Sequence, residues 1–219
     1  MSDSVDVTTQ NSTVEEWTGA LARAVGSPGG GAGAGVMLAM AASLTSMVAG
    51  YTEAGDGQQT HVDNVLSRAE ELRKLALHLA DEDAAASRAF GAAFNLEKGP
   101  ERDKAIREAS VGAARSSAIL GEHALEAIDD LGWLAEHGNS ALIADVVVAF
   151  GALRAALTGA RTNVSFDLGT LRASGATLDE VREQHPQLWA TVQKLDAAIE
   201  RIDTSAAAVD DRAAPTDSD

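Results

Sequence analysis

The chain has no cysteine in 219 residues, which excludes disulfides, thiolate nucleophiles and zinc–thiolate sites. Positive charge is scarce as well: 17 Lys and Arg stand against 33 Asp and Glu, a formal charge of −16. Nucleic acid and anionic membrane surfaces favour a basic partner, so neither is expected. Aromatic residues are 4% of a chain that is 45% apolar, leaving the core to small and aliphatic side chains. The apolar segment Val36 to Tyr51 is short and interrupted by Ser and Thr, so it does not read as a membrane span. Met1 to Asn11 is polar and acidic rather than basic and then apolar, unlike a signal peptide, and a cytoplasmic location is the expectation. The five histidines, His61, His78, His123, His137 and His185, fall in no ligand spacing, and there is no G-x-S-x-G elbow. Neither metal nor serine-hydrolase chemistry is expected.

What the chain does have is helical periodicity. Thr13 with Glu16 forms a capping-box pattern ahead of Val14, Trp17, Leu21 and Val25, which predicts a first helix ending at Gly26. Val36 to Tyr51 carries two stripes, one of large apolar residues (Val36, Met40, Leu44, Met47, Tyr51) and one of small ones (Gly35, Ala39, Ala42, Ser46, Ala49), as a helix buried between neighbours requires. Val62 to Ala93 alternates spacings of three and four in one long helix, with Gly99-Pro100 beyond it. Glu101 to His137 predicts a fourth helix, and Asn139 or Ser140 can cap a fifth that passes through Asp145 and Asn163. Thr177 with Glu180 caps another segment, and Pro186 restarts the helix that buries Leu188, Val192, Leu195, Ile199 and Ile202. The expected organisation is a disordered segment 1–11, one helical domain 12–203 and a disordered acidic tail 204–219. The expected fold is all-α, an antiparallel bundle of long helices paired about a two-fold axis as a homodimer.

Ser27-Pro28-Gly29-Gly30-Gly31 runs into the second helix and is the first candidate for a ligand site. Glycines let a ligand approach the backbone, and a helix start leaves N–H groups free. Gly29, Gly31 and Ala34 match the spacing of a dinucleotide-binding turn, but that motif needs a preceding strand where Val14 to Val25 reads as helix. The alternative is a turn that only permits close packing. Asp83 lies on the apolar stripe of the long helix, whereas Asp81, about 200° around the axis, falls with Glu70, Lys74 and Arg88 on a solvated face. A buried carboxylate is either a satisfied structural group or one whose raised pKa suits acid–base work. Asp145 and Asn163 share a small-residue stripe about 27 Å apart at 1.5 Å per residue, too far for one small site in one chain. A symmetric dimer would bring opposite ends of such helices together.

Taken in order, Ser27-Pro28-Gly29-Gly30-Gly31, Ser46-Met47-Val48, Asp81-Glu82-Asp83-Ala84, Gly138-Asn139 followed by Asp145, and Asn163-Val164 after Gly159 resemble the cyclodeaminase/cyclohydrolase family. The resemblance covers about Val14 to Leu168 and implies an all-helical homodimer with folate sites in clefts near the subunit interface. It implies a one-carbon folate enzyme, hydrolysing methenyltetrahydrofolate to the formyl form or releasing ammonia from formiminotetrahydrofolate, with no metal or redox cofactor. Asp83 and Asp145 are then the expected catalytic residues. Ser27, Pro28, Gly29, Gly30, Gly31, Asn139 and Asn163 are the expected substrate contacts. Folates carry carboxylates, so Arg154 and Arg161, with Arg115, are candidates for a cationic patch. The chain departs from the family's usual residues at Ala32 and Ala144, where Ser is usual, at Ser87, where an aromatic is usual, and at Ser116-Ser117, where Val-Pro is common. These departures leave open a divergent member acting on another cyclic amidine, imine or amine; the other alternative is a non-catalytic helical ligand-binding or assembly dimer.

Overall fold

The computed structural model describes residues 7–55, 57–173 and 175–213. The expected disordered ends fall partly outside them, at 1–6 and 214–219. The described residues form helices α1 (Val14–Leu21), α2 (Gly30–Gly50), α3 (Gln59–Phe94), α4 (Pro100–His137), α5 (Ile143–Ala173), α6 (Leu178–Gln184), α7 (Pro186–Ala207) and α8 (Asp210–Ala213), with a 3₁₀ turn at Ser140–Leu142 before α5. No strand occurs among the described residues. The all-α long-helix bundle expected from periodicity is what the chain forms.

The contacts between helices give their directions. Gly31 and Gly35 of α2 meet Asp83 and Ala80 of α3, and Gly159 of α5 meets Ala34 of α2. Arg68 of α3 pairs with Asp130 of α4, while Ser117 of α4 reaches Asp83 of α3. Each pair runs early against late, so α2 to α5 form an antiparallel four-helix ring joined by short connections. α7 fills the groove between α4 and α5, fastened by Thr191 to Glu122, Arg161 to Asp196 and Arg154 to Asp203. Leu38, Leu131, Leu134, Phe150, Leu153, Leu157, Leu195 and Ile202 are fully buried where these helices converge.

Three boundaries differ from expectation. α1 stops at Leu21, and Ala22 to Val25 are exposed ahead of Gly26, whose φ of 82° suits glycine. α2 starts at Gly30, six residues before Val36, so the glycine run is its first turn and not a loop. Glycine is a poor helix former by about 1 kcal/mol per residue. Here tertiary contact decides, because Gly31 and Gly35 lie against α3 with no room for a Cβ. At the other end α7 passes the expected limit at Asp203 and continues to Ala207, and α8 follows with Val209 buried.

The earlier start changes the reading of α2. Both α2 and Ser140–Ala173 are long and apolar enough to cross a membrane by length and composition, with mean hydropathies of 1.6 and 1.8. The shortness of Val36 to Tyr51 is therefore no argument against a span. The apolarity of α2 answers instead to its place between α3 and α5, where 56% of its apolar window is buried.

Candidate active site

The glycine run and the long helix meet at one end of the bundle. Gly29 caps α2 with extended backbone, and the N–H groups of the first turn have no carbonyl partner four residues back. A Cβ on Gly31 would fall inside the Asp83 carboxylate. Only glycine lets the helix start press on that side chain. Ser27 holds the approach in place, its hydroxyl donating to the Ala84 carbonyl at 2.8 Å and accepting from Arg88 Nη1 at 3.4 Å. Trp17 packs with Ala32, Ala80 and Ala84, which docks α1 over the α2–α3 junction.

Asp83 is 6% exposed. Ser117 Oγ donates to its Oδ1 at 3.4 Å, and Oδ2 is buried with no hydrogen-bond partner among the described residues. Burial drives its pKa upward, opposed by hydrogen bonds from the Ser117 hydroxyl, the Ala32 N–H and the Ser87 hydroxyl. Asp167 of α5 faces the same space, is 8% exposed, and has its pKa raised to about 7, first by burial and then by the charge of Asp83. The cavity between them is about 310 Å³, lined by Gly29, Gly30 and Gly31, by Ser87, Phe90 and Gly91 of α3, by Ala113 and Ser117 of α4, and by Asn163 and Phe166 of α5. Among the described residues its titratable groups are Asp83 and Asp167, and no Lys, Arg or His lines it.

Of the residues expected from sequence, the structure brings together Gly29, Gly30, Gly31, Asp83 and Asn163. Ser27 and Pro28 shape the turn without lining the cavity. Asn139 lies at the other end of the bundle, beside a separate cavity with Tyr51, Thr52 and Glu53. There it caps the 3₁₀ turn, accepting from the Ala141 N–H at 3.0 Å and donating from Nδ2 to the Tyr51 carbonyl at 3.1 Å. Asp145 is half-buried in the first turn of α5, at that same far end. Arg154 and Arg161 pair with Asp203 and Asp196 along α7, while Arg115 lines shallow clefts beside His185. None of the three lines the Asp83 cavity. Asp81, expected in solvent, is half-buried and accepts the Thr9 N–H at 2.6 Å. Trp17 Nε1 donates to Thr9 Oγ1 at 3.0 Å, so Thr9 is tied from both sides.

Asp167 escaped the sequence reading, although the signal was present. It lies four residues after Asn163, one turn along the same face of α5. A larger cavity of about 320 Å³ between α2, α3 and α4, lined by Thr45, Leu72, Leu75 and His123, holds the two-point Arg68–Asp130 pair and includes none of the expected site residues.

The family model for formiminotransferase-cyclodeaminase matches residues 13–185, a span that includes both the glycine run and Asp167. A methenyltetrahydrofolate cyclohydrolase of Methylorubrum extorquens is 33% identical over 165 residues, covering 70% of this chain and 78% of that protein. The crystal structure of a formiminotetrahydrofolate cyclodeaminase from Thermotoga maritima shares the fold, with a TM-score of 0.76 over 90% of this chain and 94% of that one at 22% identity. On the extent of the family match and the identity to the Methylorubrum protein, the chain belongs to the formiminotransferase-cyclodeaminase family.

Proposed function

We propose that the chain catalyses addition of water to the one-carbon bridge of a folate, hydrolysing methenyltetrahydrofolate to formyltetrahydrofolate, with Asp83 as the group that takes the proton from water. As a member of its family the chain is an enzyme acting on C–N bonds. The observation that carries the finer reading is the buried Asp83 carboxylate, its Oδ2 without a partner, lining a cavity whose wall is the start of α2. A base in that position needs no metal to be competent, because burial already lifts its affinity for protons. The N–H groups of Gly29 to Gly31 are available to an oxygen or ring nitrogen of the bound molecule. Two carboxylates and no lining cation among the described residues favour a substrate with positive charge at its reacting carbon, as an amidinium has. The identity to a methenyltetrahydrofolate cyclohydrolase supports hydrolysis over ammonia release.

The site belongs to a homodimer in this reading, and the outer faces of α2 and α5 offer the surface for it. Met37, Met40, Val148 and Phe166 are all exposed there.

A second reading, another cyclic amidine, imine or amine as substrate, is favoured by Ser87 and Ser117. Both line the cavity at positions where the family usually has larger or apolar residues. Purified protein should speed the loss of methenyltetrahydrofolate absorbance well above the buffer rate, with little ammonia released from formiminotetrahydrofolate. If neither substrate turns over but folate analogues raise the melting temperature, the second reading stands. If they also leave the melting temperature unchanged, the folate reading falls, in favour of a non-folate substrate or a non-catalytic assembly role.

A further inference from the structure

We propose that Asp167 is a second catalytic group of this site, and that Asp83 and Asp167 hold one proton between them, so that a carboxylate and a carboxylic acid face one substrate. The assignment rests on the reading of this cavity as the place where water adds to a C–N carbon.

The two side chains come from different helices, α3 and α5, and line the same cavity. Each is more than nine-tenths buried. Asp83 Oδ2 lacks a partner among the described residues, and the Asp167 carboxyl is pushed up first by burial and then by the charge of Asp83. Among the described residues the helices packed around them place no cation in the cavity lining. α2 carries no ionisable residue from Gly30 to Gly50. From α3 the nearby charges are Arg88, bonded to Ser27, and Asp81, bonded to Thr9. From α4 the cavity receives Ala113 and the Ser117 hydroxyl, while Arg115 lines other clefts with His185 of the α6–α7 junction. α5 adds Asn163, and its Arg161 is paired with Asp196 of α7. Two anions enclosed without a cation repel, and each is expensive to desolvate, so the second ionisation is deferred toward neutral pH. Such pairs divide into a base and an acid.

That division serves both halves of the reaction. In the first, the carboxylate accepts a proton from water as the water oxygen bonds to the amidinium carbon, giving a neutral carbinolamine. In the second, the carboxylic acid protonates the leaving nitrogen as the C–N bond breaks with its electron pair going to nitrogen. The hydroxyl proton then passes to the emptied carboxylate as the C=O forms. One proton leaves to solvent, as hydrolysis of a cation to a neutral formamide requires, and the pair is again singly protonated.

The test combines a titration that needs no substrate with a pH–rate profile. In protein labelled with ¹³C at aspartate carboxyls, the resonance missing from Asp167→Asn should titrate near pH 7 in the wild type. In Asp83→Asn it should move down by the part that the Asp83 charge contributes, while burial keeps it above the ordinary carboxylate range. With methenyltetrahydrofolate, Asp167→Asn should lower kcat by roughly 10²-fold with KM little changed, and abolish the fall in rate above neutral pH. A titration in the ordinary range in wild type, or Asp167→Asn with wild-type kcat and an intact upper limb, overturns the proposal. Coupled titration without turnover leaves the pair intact and sinks the folate reading, whereas turnover without coupled titration sinks the pair alone.

Discussion

At the scale of single residues, the site depends on Gly31 and Asp83 being pressed together. Gly31→Ala would displace the carboxylate, and turnover should fall by roughly 10²-fold, comparable to the loss of a positioned base. Asp83→Asn should lose at least as much activity while keeping its fold, because the amide is nearly isosteric. Its stability should also depend on pH in a defined direction. A carboxylate whose folded pKa is raised contributes stability that is present below the unfolded value, near 4, and lost as pH rises through the folded value. Asp83→Asn should therefore melt no lower than wild type at pH 8 and relatively lower near pH 4. A structural Asp83 would instead cost about 1–3 kcal/mol at every pH through its broken bond. Asp81→Asn, which keeps an oxygen for the Thr9 N–H, should leave turnover unchanged. Asp83 was legible because periodicity alone puts it on the inner face of α3. Asp167 was not, because the small-residue stripe of α5 was followed only to Asn163, and a carboxylate without a sequence partner looks like any surface acid until α3 is set beside it.

At the scale of elements, long periodic helices were legible and the start of α2 was not. Amphipathic stripes report burial directly, which is why α3 to α5 and α7 lie close to where the pattern puts them. A run of Gly and Ala carries no stripe, and its helicity comes from the neighbour it touches. Gly35 is the sharp case, since an added Cβ would lie 2.7 Å from Ala80 Cβ and 3.0 Å from the Ala76 carbonyl. Gly35→Ala should destabilise by about 1–3 kcal/mol through overpacking, against its gain in helix propensity. Gly112→Ala in α4 meets nothing within 4 Å and should stabilise by about 0.5–1 kcal/mol. Melting curves of the two variants measure α2–α3 contact against intrinsic propensity in one protein, and equal shifts would remove tertiary contact as the reason α2 begins at Gly30.

At the scale of the whole molecule, the charge of −16 keeps most of the surface hydrophilic, which makes the apolar outer faces of α2 and α5 conspicuous. Val148 and Phe166 are 58% and 67% exposed, and Met40 is 49% exposed. Ser140–Ala173 has the higher mean hydropathy of the two apolar helices, yet only 33% of its window is buried within the chain. Large apolar side chains left exposed along two neighbouring helices point to an interaction site. Phe166 connects that surface to function, since it also lines the Asp83 cavity. A second copy seated there would touch Phe166 and so the wall of the cavity. The expected outcome is a dimer by light scattering at micromolar concentration, converted to monomer by Met40→Glu, because a charge buried without a partner at such a contact costs several kcal/mol. Met40 is absent from the cavity lining, so its substitution does not alter the site within one chain. Loss of turnover in parallel with the dimer, across a concentration series of the variant, would tie catalysis to assembly. A wild-type protein that is monomeric and fully active at the same concentrations would show that this face serves some other partner.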